Sequence, residues 1–370
     1  MGLAAVPWIP EQVPGVFVSG TCIAGSSRVS RRDLCHLLDV TGALEPILRA
    51  RSKSRSPWLT VLTYHRIADD PEGQPFDPGV IDASPADFDL QIRTLKQYFT
   101  VIGIEELLEH RNGGRLPENP AIVTFDDGYR TCHDVALPVL QKHGVKATFF
   151  IATSYVTRRK LFWWDRISYA VRNARHEHVE LRYPFTITLD IAREPERTLR
   201  YLLNLVKSFH SLDLERFVEE LTAASGAPWD PDIERHFADQ LVMSWDQVRA
   251  LRHAGMEIHS HTRTHRILQT IDASDLASEL GGAREDLEDQ LNERVSSVSY
   301  PVGRPITQFP HIRDAVADAG YELGFSNCSG LTRVRGGYDP LDLRRISMEY
   351  HLPMSYFRGM LALPSLADAA

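Results

Sequence analysis

Short apolar segments alternate with longer helix-like segments through most of this 370-residue sequence, from Trp58 onward. The short segments are apolar or β-branched and end at turn residues, which is typical of buried strands. The predicted strands are 59–65, 121–125, 147–152, 256–260, 295–300, 322–326 and 343–348, and the predicted helices are 85–98, 131–143, 245–254, 273–292 and 308–319. Such alternation implies parallel strands joined by right-handed crossovers. Seven or eight units of this kind favour a closed or nearly closed (β/α) barrel, with an open sheet as the alternative.

One long interval interrupts the alternation. Residues 155–240 are rich in charge and in helical periodicity, and they contain one β-like stretch at 185–189. We therefore interpret this interval as a mostly helical insertion. Insertions on barrels tend to fall on the loops that shape the active-site face, so a cap over the site is one prediction. A purely structural excursion is the alternative.

The two ends are predicted to lie outside the barrel domain, which we place at 57–352. Residues 1–56 are interpreted as an extension that contains a helix within 31–50 and a basic, solvated linker at 49–57. Residues 353–370 are interpreted as a C-terminal helix or tail.

Bulk composition excludes several classes of protein. The net charge of −8 argues against a nucleic-acid partner, which needs a basic surface. The four cysteines show no CxxC spacing, so we expect free thiols rather than a zinc ribbon or redox pair. No apolar run approaches the roughly 18–20 residues of a membrane span. Residues 1–25 contain no Lys or Arg, unlike a secretory leader, so the cytoplasm is the expected location. The oligomeric state is left open.

Two groups of potential metal ligands follow predicted strands. Asp126 and Asp127 end the strand 121–125, and His261 and His265 come directly after the strand 256–260. Alone, the first group reads equally well as an Asp-Asp-Gly turn, and two histidines four residues apart are common on surface helices. If a helical turn follows the second strand, both imidazoles lie on one face and can share a metal. Together the two groups predict a catalytic divalent metal site.

Other residues at strand ends are weaker candidates. His65 ends the first strand of the barrel, where a catalytic role competes with a buried structural one. His259 is predicted at most to contact the metal ligands and not to bind the metal itself. The turn 299–304 could direct backbone N–H groups at the site, although turn formation explains it equally well. Trp163-Trp164-Asp165 is either a sugar-stacking platform or core, with core favoured. Tyr350-His351 is the rival to His65 for an acid role.

At these residues the sequence resembles the polysaccharide deacetylase family, the NodB-homology deacetylases of carbohydrate esterase family 4. The family's first motif, Thr-Phe-Asp-Asp-Gly, is complete at 124–128, and its second, His-Ser/Thr-x-x-His, is complete at 261–265. Tyr-His-Arg-Ile at 64–67 more closely resembles the poly-β-1,6-N-acetylglucosamine N-deacetylase branch. The resemblance covers about residues 58–350 and implies a distorted (β/α)7 barrel.

The resemblance also implies roles for individual residues. Asp127, His261 and His265 would bind the metal, usually zinc and in some members cobalt or nickel. Asp126 would be the general base, and His65 the general acid for the departing amine. The implied activity is removal of N-acetyl groups from an N-acetylglucosamine-containing polysaccharide or glycoside. The alternatives are an O-acetyl esterase with the same site and a non-catalytic glycan-binding relative.

The third motif of the family is altered in this chain. Ser299-Tyr300-Pro301-Val302-Gly303 lacks both the Arg that usually precedes Pro-Tyr and the Tyr after Pro. We predict that Tyr300, Pro301 and Val302 still form the oxyanion or substrate-binding turn, since a backbone N–H at Val302 needs no particular side chain. Arg344 or Arg345 is predicted to replace the missing Arg beside the base.

Overall fold

The structure is a computed structural model that describes residues 30–53, 58–69, 74–334 and 337–367. Its strands are β1 (Trp58–Tyr64), β2 (Arg66–Ile67), β3 (Ile81–Ala83), β4 (Thr100–Val101), β5 (Pro120–Phe125), β6 (Thr148–Ile151), β7 (His178–Leu181), β8 (Ile187–Asp190), β9 (Glu257–Ser260), β10 (Ser297–Ser299), β11 (Leu323–Ser329), β12 (Thr332–Arg333) and β13 (Leu343–Ser347).

Its helices are α1 (Arg31–Val40), α2 (Leu44–Ser52), α3 (Pro85–Tyr98), α4 (Ile104–Arg111), α5 (Leu137–His143), α6 (Thr153–Arg158), α7 (Trp163–Arg172), α8 (Pro195–Ser208), α9 (Leu214–Ser225), α10 (Pro231–Leu241), α11 (Trp245–His253), α12 (Ala273–Leu291), α13 (Pro310–Asp318), α14 (Met354–Ala362) and α15 (Pro364–Ala367). A π-helical turn, Cys132–Ala136, precedes α5. None of the helices in the described ranges is long and apolar enough to cross a membrane. The prediction about a secretory leader concerns residues outside those ranges.

Seven parallel strands close into a barrel, which confirms the predicted fold. The ring runs β1, β5, β6, β9, β10, β11 and β13, and β13 pairs back onto β1. Each of these strands overlaps a strand predicted from the sequence. Because all seven are parallel, their carboxyl ends meet at one rim. Residues that follow the strands are therefore brought together there.

Alternate residues of the strands fill the inside of the barrel. One buried cluster takes its side chains from five strands of the ring and is closed at the bottom by α4. These strand residues are Leu59, Val61, Ile122, Phe150, Leu323, Phe325 and Leu343. The opposite faces of the strands pack against the surrounding helices in a larger cluster. A strand residue that continues the inward series beyond the apolar layer therefore points into the upper mouth of the barrel.

The insertion is mostly helical, as predicted, and it packs as one unit beside the rim. Helix α7 contacts both α8 and α9, and the antiparallel hairpin of β7 and β8 packs on α9 and α8. The β-like stretch predicted at 185–189 corresponds to β8 and the turn that precedes it. Helices α8, α9 and α10 each bury one apolar face.

The N-terminal segment differs from its prediction in two respects. It forms two helices, α1 and α2, which are separated at Thr41-Gly42-Ala43, where Gly42 has φ +74°. The predicted solvated linker is wrong at Arg51, which is buried and donates to Asn119, Thr60 and the Leu361 carbonyl. Both helices pack against α14 from the other end of the chain. The predicted domain boundaries at 56 and 352 stay predictions.

Four fully buried aromatic rings join α3 to the strands that carry the site. Phe88 of α3 lies edge-on to Tyr64 and Phe125, with centroid distances of 5.1 and 5.6 Å. Phe125 in turn stacks on Phe149 at 4.8 Å. Each of the four rings has no exposed surface. This cluster fixes the outer faces of β1, β5 and β6 immediately below the rim.

We expect Phe88→Ala to lower the free energy of unfolding by about 3–5 kcal/mol, because it removes a whole ring from this cluster. Phe185→Ala, at a ring that is 45% exposed, is the matched control and should cost about 0.5 kcal/mol or less. Urea unfolding followed by circular dichroism measures both. Equal losses in the two variants would contradict the assigned role of the cluster.

Candidate metal centre and active-site cleft

Three potential metal ligands converge at the rim of the barrel. The carboxylate of Asp127 and the imidazoles of His261 and His265 present ligand atoms that all lie within 4.8 Å of one another. The Nε2 atoms of both histidines are 3.3 Å from Asp127 Oδ1. All three side chains are buried. The structure thus brings together the three residues that the sequence predicted as ligands.

The histidines converge through a loop rather than through the helical turn considered above. Residues 261–265 are not helical, and Thr262 and His265 adopt positive φ values of +64° and +55°. Helix α12 holds this loop from outside. Glu279 accepts from the backbone N–H and the hydroxyl of Thr264, and Asp286 forms a two-point ion pair with Arg263. The helical-turn expectation is therefore wrong, because the ring geometry comes from two left-handed residues.

The donor atoms fit a divalent cation. His261 Nδ1 lies 2.8 Å from the Ser299 carbonyl, which can only accept, so Nδ1 donates and Nε2 is the ring nitrogen that faces Asp127. Burial lowers the pKa of His265, which favours the neutral ring that metals bind. Asp127 Oδ1 is buried and accepts no hydrogen bond in the described residues. Two histidines and one carboxylate with room for further ligands are typical of catalytic zinc.

Burial alone would raise the pKa of Asp127, but His261 and His265 and the charge of His65 hold it well below its usual range. The carboxylate is therefore ionised at every physiological pH, as a metal ligand must be. Asp127 has φ +74°, so the chain turns sharply at this residue. That turn, rather than simple strand alternation, sends the two adjacent carboxylates in different directions.

The other carboxylate, Asp126, is held by the fully buried Arg345 of β13. Arg345 donates from its two terminal nitrogens to Asp126 Oδ1 and Oδ2 at 2.9 and 2.8 Å, and Ser299 Oγ donates to Oδ2 at 3.1 Å. Burial would raise the pKa of Asp126, but Arg345 and then His261 lower it below its usual value. Arg345, and not Arg344, therefore provides the charge that the third motif lacks.

His65 lies on the same cleft, and Asp82 of β3 fixes its orientation. Asp82 Oδ2 lies 3.1 Å from His65 Nδ1 and also accepts from the backbone N–H of His65. Burial alone would lower the pKa of His65. The negative charge of Asp82, followed by those of Asp127 and Asp126, outweighs burial and raises the pKa to about 9. Sequence reasoning missed Asp82, which lies on a three-residue strand that no periodicity marks.

Of the three residues predicted for the oxyanion turn, Val302 alone lines the cleft. Val302 has φ +60°, a left-handed conformation that is rare for a β-branched residue. Tyr300 is buried and donates to the Leu341 carbonyl at 2.6 Å, and Pro301 is also buried. Tyr300 and Pro301 therefore support the turn from below, and the role of the three residues as the oxyanion or substrate-binding turn stays a prediction.

The site opens into a cleft of about 820 Å³ that the insertion helps to form. Trp163 and Trp164 begin α7, and both line the cleft although they are almost fully buried. The ring of Trp164 lies 4.4 Å from that of His265. Its indole N–H donates to Tyr129, whose hydroxyl donates to Asp165 at 2.7 Å. The tryptophans thus act as core and as cleft wall together, and the cap prediction fits this geometry.

Two further candidates from the sequence have clear positions. Tyr350 and His351 line the cleft with their rings 4.8 Å apart. His351 is exposed, and no buried carboxylate among the described residues pairs with it as Asp82 does with His65. His259 lies deeper in the barrel beside Phe150 and does not line the cleft. Burial, with the charge of Arg252, lowers the pKa of His259 to about 3.

Comparison with known proteins agrees with this arrangement. The sequence profile named polysaccharide deacetylase matches residues 113–182 and 217–324, which contain Asp126, Val302 and the three potential metal ligands Asp127, His261 and His265. The chain belongs to the polysaccharide deacetylase family. Within this family, the poly-β-1,6-N-acetyl-D-glucosamine N-deacetylase of Staphylococcus aureus strain N315 is 31% identical over 86 residues. That match covers 23% of this chain and 30% of the relative, so the chain spans less than a third of the relative's length.

Solved structures show the same fold at low sequence identity. The Streptococcus pyogenes deacetylase PplD, solved in complex with acetate, superposes with a TM-score of 0.54 and 18% identity, over 83% of this chain and 99% of that one. A de-N-acetylase from Aggregatibacter actinomycetemcomitans gives a TM-score of 0.52 at 17% identity, over 83% of this chain and 100% of that one. This chain therefore shares the barrel architecture of these proteins.

We expect the wild-type chain to bind one zinc ion, and His261→Gln and Asp127→Asn to lose it, because each removes one of three buried donors. His236→Gln, at an exposed ring on α10, is the control and should bind normally. Metal analysis after dialysis gives the stoichiometry. Zinc at a hundred times its Kd should also stabilise the wild type by about 2.7 kcal/mol. Full zinc binding by His261→Gln would contradict the site.

Proposed function

We propose that this chain is a metal-dependent hydrolase that removes N-acetyl groups from an N-acetylated glycan. One observation carries the proposal: a metal-ligand triad, a carboxylate held ionised beside it and a histidine held protonated all face one cleft. Hydrolysis of an amide needs a strong nucleophile, a stabilised oxyanion and a protonated leaving amine. The membership of the polysaccharide deacetylase family supports the same reaction.

Asp127, His261 and His265 would hold the cation, with zinc as the first choice and cobalt or nickel as alternatives. Such a cation polarises a carbonyl and lowers the pKa of water from 15.7 towards about 7. Asp126 accepts the proton of the attacking water. A carboxylate offers about four lone-pair sites, and Arg345 and Ser299 occupy three of them. The remaining site leaves Asp126 able to act as the base while its orientation is fixed.

His65 delivers a proton to the departing amine. Its Nδ1 is bound to Asp82, which leaves Nε2 as the nitrogen available to the cleft. Because the pKa is raised, the ring is protonated through neutral pH and can donate. The backbone N–H of Val302 is the proposed donor to the oxyanion, since this residue is held at the cleft by a turn that Tyr300 supports from below.

The proposed substrate is an N-acetylglucosamine-containing polysaccharide or glycoside, as the name of the staphylococcal relative suggests. A protonated histidine aimed at the leaving group favours amide over ester hydrolysis, since an amine needs a proton to depart and an alcohol needs it far less. Side-by-side rates on N-acetyl and O-acetyl sugars distinguish the two activities. An enzyme that releases acetate only from esters would contradict the proposal.

We expect Asp126→Asn to lower kcat by a factor of about 10²–10⁴ without loss of bound metal, because it removes the base and leaves the ligand triad intact. The control is Asp289→Asn, an exposed carboxylate on α12, which should keep full activity. Acetate release and metal content are measured on the same preparations. Retained turnover in Asp126→Asn would exclude Asp126 as the base.

We also expect the activity to fall as the pH rises through the pKa of His65, because the protonated ring is the active form. The pKa of His65 is raised to about 9. A cation held by Asp127 would lower this pKa, so we expect the fall in activity, the alkaline limb of the pH profile, at or below pH 9. Asp82→Asn keeps an acceptor for the His65 backbone N–H but removes the charge. The limb should then move to lower pH by about one unit or more.

Asp89→Asn is the matched control. Asp89 Oδ1 lies 2.9 Å from His143 Nε2 in a similar carboxylate–histidine pair, and neither residue lines the cleft. Profiles of kcat/KM against pH should be the same for this variant and the wild type. An unchanged alkaline limb in Asp82→Asn would exclude His65 as the acid and favour His351.

A further inference from the structure

Helix α8 of the insertion forms one wall of the cleft. The residues that face the cleft recur every three or four positions, so they lie along one side of the helix. They are Glu196, Leu199, Arg200, Leu203, Asn204 and Lys207. Asp127, His261 and His265 line the same cleft, whose volume is of the size that holds a ligand rather than a single water or ion. A substrate bound at the metal centre therefore also contacts α8.

This wall carries positive charge without matching carboxylates. Arg172 of α7 is neutralised by Glu196 at 2.7 Å. By contrast, neither Arg200 nor Lys207 has a carboxylate oxygen within 4.0 Å in the ranges that the structure describes. Arg304 likewise has no carboxylate oxygen within 4.0 Å in those ranges. The positive charge of Arg304 disfavours the charged form of Lys207, and burial lowers the pKa of both Arg304 and Lys207. Lys207 and Arg304 are partly buried, and cations in such a setting are costly unless an anion joins them. Arg200 is exposed on the cleft wall, and Arg304 lies outside the cleft lining.

The acidic residues of the cleft do not supply that anion. Asp126 is bound by Arg345, and Asp127 belongs to the ligand triad. Asp77 favours the charged form of Lys207 from a distance, but its Oδ1 accepts the N–H of Gly79. The chain as a whole has a net charge of −8, so unpaired cations in a single cleft stand out from the surface around them. The positive charge is therefore local to the α8 side of a cleft that also contains carboxylates, and it attracts ligands of the opposite sign to that side.

We propose that the α8 wall selects an anionic glycan, an N-acetylated sugar that carries a carboxylate or phosphate group next to the sugar that loses its acetyl group. Arg200 and Lys207 bind this carboxylate or phosphate group, and the charge of Arg304 adds to the positive electrostatic potential around it. A guanidinium and an ammonium are the side chains that recognise such groups in proteins. The proposal rests on the deacetylase function proposed above and adds the class of its substrate.

The family comparison places this wall outside the matched part of the chain. The profile match stops at residue 182 and resumes at residue 217, and α8 lies wholly in the gap. The metal centre therefore belongs to the part that the chain shares with the profile, whereas the cationic wall belongs to the insertion. Substrate selection and chemistry are thus carried by separate segments.

The test uses the full-length, zinc-loaded protein and three probes. They are N,N′-diacetylchitobiose, which is neutral, an N-acetylglucosamine–glucuronic acid disaccharide and N-acetylglucosamine 1-phosphate. Isothermal titration calorimetry gives each Kd and does not depend on turnover, and acetate release is followed in parallel. We expect at least one anionic probe to bind about tenfold or more tighter than the neutral one, with the difference reduced at high salt. The two anionic probes distinguish a carboxylate from a phosphate.

Two variants and one control complete the test. Arg200→Gln and Lys207→Gln should each lower the ratio of anionic to neutral affinity about tenfold. Arg197→Gln removes the same charge one turn away on α8, at a residue that pairs with Glu194 and does not line the cleft, and should leave the ratio unchanged.

Equal affinity for neutral and anionic probes, or a ratio unaffected by both substitutions, would overturn the anionic-substrate proposal whether or not acetate is released. Tighter binding of an anionic probe that depends on Arg200 and Lys207 supports it. If that binding occurs without acetate release from any probe, the deacetylase function fails while the anion site stands. The two proposals therefore fail separately.

Discussion

The pairing of β1 with β5 is the constraint on which the site depends. The two strands run in parallel with Tyr64 opposite Phe125, and the backbone N–H of Asp126 donates to the Tyr64 carbonyl at 2.9 Å. That register places His65 and Asp126 side by side at the rim. A slip of one residue would exchange the faces of a whole strand and turn one of the two away from the cleft. The buried ring cluster opposes such a slip, since it would turn Tyr64 or Phe125 away from Phe88 and Phe149 and into the barrel.

Strand alternation makes much of the site predictable from the sequence. Ile122 faces the inside of the barrel, so Asp126, four residues later, continues the same series, and His261 continues the series of His259. The choice between Arg344 and Arg345 follows the same rule, because Leu343 is in the interior cluster and Arg345 shares its face. The sequence therefore contained enough information to select Arg345, although two adjacent arginines look equivalent until the inward face is assigned.

Other parts of the site have no such pattern. His261 and His265 meet because Thr262 and His265 adopt left-handed conformations, and periodicity does not encode these. Asp82 acts from a strand too short to show alternation, and Asp165 reaches Tyr129 only through the packing of the insertion on the barrel. The insertion was recognised by its length and its helical spacing. Which of its helices lines the cleft is decided by tertiary contacts, which local sequence does not specify.

The ion pair between Arg345 and Asp126 spans 219 positions of the chain and joins the last barrel strand to the second. A nascent chain emerges from its N-terminus, so Asp126 and the potential metal ligands Asp127, His261 and His265 are synthesised long before Arg345. Until β13 is in place, the barrel is open and Asp126 lacks the charge that lowers its pKa. Breaking a buried ion pair by loss of one partner costs about 3–5 kcal/mol, so the open form is also the less stable one. The strand pairing that closes the barrel is therefore also the step that fixes the Asp126 carboxylate, so the cleft acquires its final charge arrangement only when the last strand is in place.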